Sequence, residues 1–230
     1  MKDYLANEVR NVVVLGHSGA GKTAVIEGCM HFTKRIDKTG KNNDGTSALD
    51  FDLEEGKRGT SCYCHLAPVE WKEKKINFID TPGYMDYVGE EVTGLYVGDN
   101  ALIVIDGKEC VEPGTLRAWK EAVSKRKLPT IFFVNKLDDP MADFDAILSD
   151  LREKYGSSVI PFEVPIYKGD KIVGSVNVLR RKAWYIANPK EPKPVPEDLQ
   201  DKVEEYYGEI AEAIAMTDDA LLEKFSNEEE

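Results

Sequence analysis

Residues 11–23 read NVVVLGHSGAGKT. An apolar run, Val12–Leu15, meets three glycines in six positions and then Lys22 and Thr23. Glycine weakens packing and costs backbone entropy, so such a cluster directly after a strand-like run needs a reason. The spacing fits G-x-x-x-x-G-K-[ST] from Gly16 to Thr23, between a predicted strand and a predicted helix, the context that this motif requires. Successive backbone N–H groups then converge on one point, and the helix N-terminus adds partial positive charge. The candidate phosphate-binding residues are therefore Gly16, His17, Ser18, Gly19, Ala20, Gly21, Lys22 and Thr23. Lys22 brings a full charge to the β and γ phosphates, and the Thr23 hydroxyl is the candidate Mg²⁺ ligand. A side chain at Gly21 is expected to crowd the phosphates.

The bulk properties set the frame. The chain has 230 residues, 42% of them hydrophobic, enough for one large domain or a domain carrying a smaller one. No apolar stretch approaches the ~20 residues of a spanning helix, and the start, MKDYLANEVR, has no secretory apolar core. Cys29, Cys62, Cys64 and Cys110 are too few and scattered for a disulfide scaffold, so a cytoplasmic location is expected. Cys62 and Cys64 lack a second pair at zinc spacing and are expected as free thiols on a strand. The net charge of −12 argues against nonspecific coating of nucleic acid, and DNA is not an expected partner. Local basic groups remain at Lys34–Arg35, at Lys72, Lys74 and Lys75, and at Arg180–Lys182, as RNA-facing or merely solvated surface. The NEEE tail is expected to fray, and a monomer is expected.

Five short apolar runs predict strands: Val12–Leu15, Ile76–Ile79, Leu102–Ile105, Thr130–Val134 and Val159–Val164. Four are nearly continuous in apolar residues, as strands covered on both faces are. Helical patterns lie between them. Residues 22–33 stripe Val25, Cys29 and Phe32; residues 113–127 stripe Leu116, Trp119 and Val123; residues 140–155 stripe Met141, Phe144, Ile147, Leu148, Leu151 and Tyr155. This alternation predicts an α/β fold, a mostly parallel sheet flanked by helices. Residues 34–61 are polar and without period, a loop long enough to be functional or mobile. The texture changes near residue 156, so the predicted division is 1–155 and 156–230, the second part a small α+β subdomain. It holds short strands in 171–187, an extended proline-rich connector NPKEPKPVP, and acidic helices from Pro196 to Phe225.

Two further motifs identify the nucleotide. NFIDTPG places Asp80 at a strand end, where it can hold Mg²⁺ through water, while the Gly83 N–H can meet the γ-phosphate. FFVNKLD ends another strand with Asn135, Lys136 and Asp138. Asp138 can accept hydrogen bonds from guanine N1–H and its 2-amino group; adenine would leave that carboxylate unpaired, which is costly. Asn135 would tie this loop to the phosphate loop, and the Lys136 stem would lie along the base. The three motifs in order, each at a strand end, point to a GTP-binding protein.

The chain resembles the GTP-binding domain of translation elongation factor G and its relatives, above all the elongation-factor-G-like paralogues and the ribosomal-protection proteins. DFDLEEGKRGTS (50–61) resembles the first switch segment of that family and DTPGYMDYVGEE (80–91) its second. VPIYKGDKIVGSVNVLRRKAWY (164–185) and the acidic helices that follow resemble the insert carried after the guanine motif. The resemblance implies a P-loop GTPase that binds GTP and GDP with Mg²⁺, docks on the ribosome through rRNA and stalk proteins, and has no membrane partner.

Departures from the family pattern carry their own expectations. Ser61 stands at the switch-one threonine that binds Mg²⁺, so the implied metal set is Thr23, Ser61 and Asp80. Tyr84 stands at the histidine that positions the attacking water; a tyrosine is a poorer base, and hydrolysis is expected to be slow in isolation. The implied catalytic set is Lys22, Gly83 and Tyr84. Gly19 replaces a common aspartate. No Ser-Ala pair follows Asp138 to contact guanine O6, so the sequence is expected to be a fragment of a longer factor, lacking the last strand and helix of the domain. The competing reading is a nucleotide-gated ribosome-docking module with little hydrolysis, in protection or recycling. A small-molecule P-loop kinase would not need Asn135 and Asp138 at this spacing. The acidic helices are either a solvated pair or a docking face for a stalk protein.

Overall fold

The computed structural model describes residues 2–41 and 44–227, so the expected fraying of the tail falls almost wholly outside the described residues. The apolar run before the glycine loop becomes β1 (Val9–Gly16), whose Val13, Val14 and Leu15 are fully buried. After it come α1 (Lys22–Phe32), α2 (Leu53–Arg58), β2 (His65–Trp71), β3 (Lys74–Asp80), α3 (Val88–Val97), β4 (Asn100–Asp106), α4 (Pro113–Trp119) and β5 (Thr130–Asn135). The strands make one sheet in the order β2-β3-β1-β4-β5, parallel except for the β2–β3 hairpin. Parallel register brings the carboxyl ends of four strands to one edge: Val14 pairs with Asp80, Gly16 with Val104 and Asp106 with Asn135. That edge is where open α/β sheets bind ligands.

β2 was not expected. Its hairpin turn is Lys72–Glu73, with φ of 45° and 62°, a left-handed pair without the Asn-Gly signal that marks such turns. Pro68 sits within the strand, which is tolerated because β2 is a sheet edge. Cys62 and Cys64 precede this strand rather than lying on it. They are free, as expected.

Two helical stripes face differently from expectation. On α1, Ile26 and Met30 pack into the core with Val14, Ala67, Val69 and Val104. Cys29 and Phe32 line an apolar groove of about 640 Å³, with Trp71, Ile76 and Phe133 on its other walls, and Val25 both lines the groove and packs against the core. On α4 and the wider helical turn that continues it (Lys120–Lys125), the buried residues are Gly114, Thr115, Ala118 and Ala122, and Leu116 is exposed. Small residues let that segment lie close to the sheet. β5 is covered on one side only: Trp119 stacks on Phe132 with ring centroids 5.4 Å apart, while Ile131 and Phe133 are 50% and 42% exposed.

The chain divides into two compact units, Met1–Lys136 and Leu137–Glu230. The second holds α5 (Phe144–Tyr155), β6 (Glu163–Lys168), β7 (Lys171–Asn177), β8 (Lys182–Tyr185), β9 (Asn188–Lys193), α6 (Gln200–Ala215) and α7 (Asp219–Ser226). The division falls ahead of α5 because Leu148 of that helix packs with Val164, Val176, Ala183 and Val203. The helix starts at Phe144, not at 140, because the Asp143 side chain caps it through the N–H groups of Asp145 and Ala146. The four strands form an antiparallel sheet in sequential order. Val159–Ile160 is loop, held by Arg152 Nε donating to the Val159 carbonyl at 3.0 Å, and the strand starts only at Glu163. The proline-rich NPKEPK is the exposed edge strand β9, paired to β8 through Ala183–Lys193 and Tyr185–Asn188, not an unpaired connector. An edge position is where strand prolines cost no ladder bond.

Ile103 is fully buried on the interior strand β4, whereas Ile131 is half exposed on the last strand. Ile103→Ala is expected to cost about 2–5 kcal/mol by cavity formation. Ile131→Ala is expected to cost less than ~1 kcal/mol. Urea unfolding of the two variants compares them directly.

Candidate functional site

The loop leaving β1 turns through glycines that a side chain could not replace. Gly21 has φ of 94°. A Cβ there would run into Asn135 Nδ2, so a side chain at this position would displace Asn135. Asn135 Nδ2 donates to the Ala20 carbonyl at 2.9 Å, which ties the end of β5 to the loop. Lys136 Nζ donates to the Gly19 carbonyl at 2.7 Å and to Asp106 Oδ2 at 2.6 Å. His17 is held from the start of α4: its Nδ1 accepts from the Gly114 N–H at 3.2 Å, and its Nε2 lies 3.3 Å from Glu112 Oε1. Asp138 belongs to the second unit, where it is exposed in a turn.

At the head of α1 the Lys22 side chain folds back over the loop. Its Nζ donates to the carbonyls of Gly16 at 3.2 Å and His17 at 2.9 Å. Only 6% of the residue is exposed. Burial pulls its pKa down, and the charges of Asp80 and Glu91 push it back up. Gly83 presses on the same spot: a Cβ there would stand 2.5 Å from Lys22 Nζ and 2.6 Å from the Ser18 nitrogen. Lys22, the loop amides and Gly83 thus form a cradle that only glycine leaves open.

Beside the cradle, three oxygen-bearing side chains meet. Thr23 Oγ1 donates to Asp80 Oδ2 at 2.6 Å and lies 3.2 Å from Ser61 Oγ. Thr23, Ser61 and Asp80 are all buried, and Asp80 Oδ1 has no hydrogen-bond partner. Two hydroxyls and a carboxylate are hard ligands of the kind that suit Mg²⁺, and an orphaned buried carboxylate oxygen is the feature a cation would satisfy. The residues present therefore fit the ion. Burial raises the Asp80 pKa to about 7, against the pull of the Thr23 hydrogen bond and the Lys22 charge; Asp50 and Glu55 add to the rise.

The long polar loop is organised by two buried glutamates that the motifs do not include. Glu27 of α1 accepts from Ser47 Oγ at 2.7 Å, the Ala48 N–H at 2.6 Å and the Gly40 N–H at 2.5 Å. Glu55 accepts from the N–H groups of Cys62 at 2.9 Å and Tyr63 at 3.1 Å, and from His65 Nε2 at 2.9 Å. Asp50, Glu55 and His65 form a buried cluster whose ligand-type atoms lie within 4.8 Å of one another. Asp52 at the start of α2 with Glu55 three residues on is a capping box, a signal legible in sequence. Nothing in that signal reveals the burial of Glu55. Tyr84 starts a short 3₁₀ turn, Met85–Tyr87, and is 48% exposed.

The profile of the elongation factor Tu GTP-binding domain family matches residues 7–226. The crystal structure of a protein from Thermus thermophilus is similar to this chain at a TM-score of 0.90 and 34% identity, over 97% of this chain and 34% of that one. The chain therefore spans about a third of the length of that solved relative. No helix among the described residues is long and apolar enough to cross a membrane.

The raised pKa of Asp80 gives a signed prediction. A carboxyl whose folded pKa lies above its unfolded value stabilises fully below the unfolded pKa, ~3.9, and that contribution is lost as pH rises through the folded value. With chelator present, the melting temperature is expected to fall across the span between these two values, from about pH 4, and to level off above the Asp80 pKa of about 7. Asp80→Asn should flatten that part of the fall. Added Mg²⁺ should oppose it most at the alkaline end, where the carboxylate is ionised. Thermal melts in chelator and in Mg²⁺ measure all three.

Proposed function

The chain belongs to the elongation factor Tu GTP-binding domain family, a guanine-nucleotide-binding GTPase domain, and from that premise we propose that it is the Mg²⁺-dependent GTP-hydrolysing module of an elongation-factor-G-like translation factor that acts on the ribosome. The observation that carries this reading is the meeting of Lys22, Thr23, Ser61 and the half-satisfied Asp80 beside a loop roofed by Gly83. A phosphate chain would be held by the Gly16–Thr23 amides and the Lys22 ammonium in a site largely stripped of water, where charge interactions are strong. Thr23 and Ser61 would bind Mg²⁺ directly and Asp80 through water. The ion, when bound, supplies positive charge to the oxygens on which negative charge builds during phosphoryl transfer.

Within this reading each remaining residue has one task. The Gly83 N–H meets the γ-phosphate. The Tyr84 hydroxyl orients the attacking water by a hydrogen bond. Asn135 and Lys136 stiffen the loop from the base side, through Ala20 and Gly19. Asp138, by its place in the N-K-x-D run, selects guanine. The loop 34–61, carrying Ser61, is the nucleotide-dependent element. Residues 156–230 act as the insert, with the acidic face of α6 toward a basic stalk protein. Glu204 is already paired with Arg181 at 2.8 Å and Glu209 with Arg152, which leaves exposed Glu205 as the cleanest probe of that face.

A nucleotide-gated docking module with little hydrolysis is the second reading, and the exposed Tyr84 at the histidine position favours it. Single-turnover GTP cleavage with and without ribosomes separates the two; no acceleration by ribosomes removes the enzyme reading. Titration with fluorescent GDP and ATP analogues tests the nucleotide itself. The expected result is a preference for guanine of at least tenfold, and equal weak binding rejects it. Asp138→Asn should move the preference from guanosine toward xanthosine nucleotides.

A further inference from the structure

The second switch segment is gripped from behind by an ion pair between its last residue, Glu91, and Arg117, which lies outside every motif. Arg117 on α4 donates from Nε to Glu91 Oε2 on α3 at 3.1 Å, and from Nη2 to the same oxygen at 2.8 Å. Glu91 is 1% exposed at its side chain and Arg117 13%. The guanidinium does more than neutralise the glutamate. Its Nη2 also donates to the Gly83 carbonyl at 3.2 Å, and its Nη1 donates to Met85 Sδ. Arg117 therefore touches the backbone on one side of Tyr84 and the side chain on the other.

The physical effect follows from peptide geometry. The Gly83 carbonyl lies in one rigid peptide plane, hinged at the Gly83 Cα to the plane that carries the Gly83 N–H, so holding the first restricts where the second can point. Glycine leaves that plane free to rotate, and here nothing intrinsic to Gly83 would choose its direction. On its other side Gly83 stands against Lys22 Nζ and the Ser18 nitrogen, without room for a Cβ. The glycine is thus bounded by Lys22 in front and Arg117 behind. A planar fork held at two points by a buried carboxylate is a stiffer support than an ammonium on a flexible stem.

We propose that Arg117, oriented by Glu91, is a positioning residue for the second switch segment: it fixes the Gly83–Tyr84 peptide and thereby sets how strongly the chain prefers a nucleoside triphosphate to a diphosphate. The inference rests on the reading in which the Gly83 N–H meets the γ-phosphate. A diphosphate makes no such contact, so the two nucleotides report differently on the grip. Loss of a hydrogen bond from a charged donor corresponds to roughly a tenfold change in binding.

The test uses the 230-residue chain. Removing Arg117 alone would strand the Glu91 charge, so the pair is removed together as Arg117→Met with Glu91→Met, an exchange that buried ion pairs often tolerate without loss of stability. Arg117→Lys serves as the conservative variant. Dissociation constants for GDP and for a non-hydrolysable GTP analogue are measured in Mg²⁺, with a thermal melt of each protein. The expected result is GDP affinity within about twofold of the parent, triphosphate affinity weaker by about tenfold, and an intermediate ratio in Arg117→Lys. An unchanged ratio in the double variant overturns the inference while leaving the GTPase reading intact. Equal weakening of both nucleotides with a lowered melting temperature also overturns it, since that is the signature of packing alone. A parent chain that binds neither nucleotide sinks the GTPase reading, and this inference with it.

Discussion

A carboxylate at the buried end of a strand, with one oxygen bonded to Thr23 and the other to nothing, governs the carboxyl edge of the main sheet. Such a group is costly to bury, and the structure meets the cost only in part. Lys22 supplies charge nearby but spends its hydrogen bonds on the carbonyls of Gly16 and His17. Ser61 brings its hydroxyl to Thr23 rather than to Asp80. The edge is therefore electrostatically incomplete as it stands. Its geometry is nonetheless fixed, because β1, β3 and β4 run parallel and in register behind it.

Around this point the chain repeats one device: a buried acid that holds a loop through its main-chain groups. Glu27 and Glu55 do so for the long polar segment, and Glu91 does so at one remove, through Arg117, for the segment after Asp80. Each is nearly or fully inaccessible. Carboxylates satisfied in this manner give a loop a defined course without giving it an apolar core. A loop so held can be released by competing for a few hydrogen bonds, which a packed segment cannot.

What the sequence revealed divides along physical lines. The phosphate loop was legible because its residues are contiguous and their conformation is local. Glycines, lysine and threonine at fixed offsets need no knowledge of the rest of the chain. The strands β1, β3, β4 and β5 were legible as apolar runs. β2 was not, since it carries Pro68 and turns on Lys72–Glu73, where the signal lies in φ and not in residue type. The α1 stripe of Val25, Cys29 and Phe32 does share one face, but periodicity finds an apolar face without saying what covers it, and most of this one lines an open groove. NPKEPK misled because proline marks both open connectors and edge strands. The acids Glu27, Glu55 and Glu91 were invisible for a deeper reason. Their partners are mostly main-chain groups or side chains beyond the reach of a local pattern, and the capping box that does mark Glu55 says nothing of its burial.

The half-covered β5 has a consequence for how the protein behaves in solution. With β5 the last strand of its sheet among the described residues, and Ile131, Phe133 and the groove beside α1 exposing apolar surface, two copies have matching sticky margins. What keeps them apart is the net charge of −12, a repulsion that reaches only about a Debye length. Raising ionic strength shortens that reach and strengthens apolar contact at once. On these grounds dilute buffer is the expected dispersing condition, and concentrated sulfate the condition expected to favour self-association.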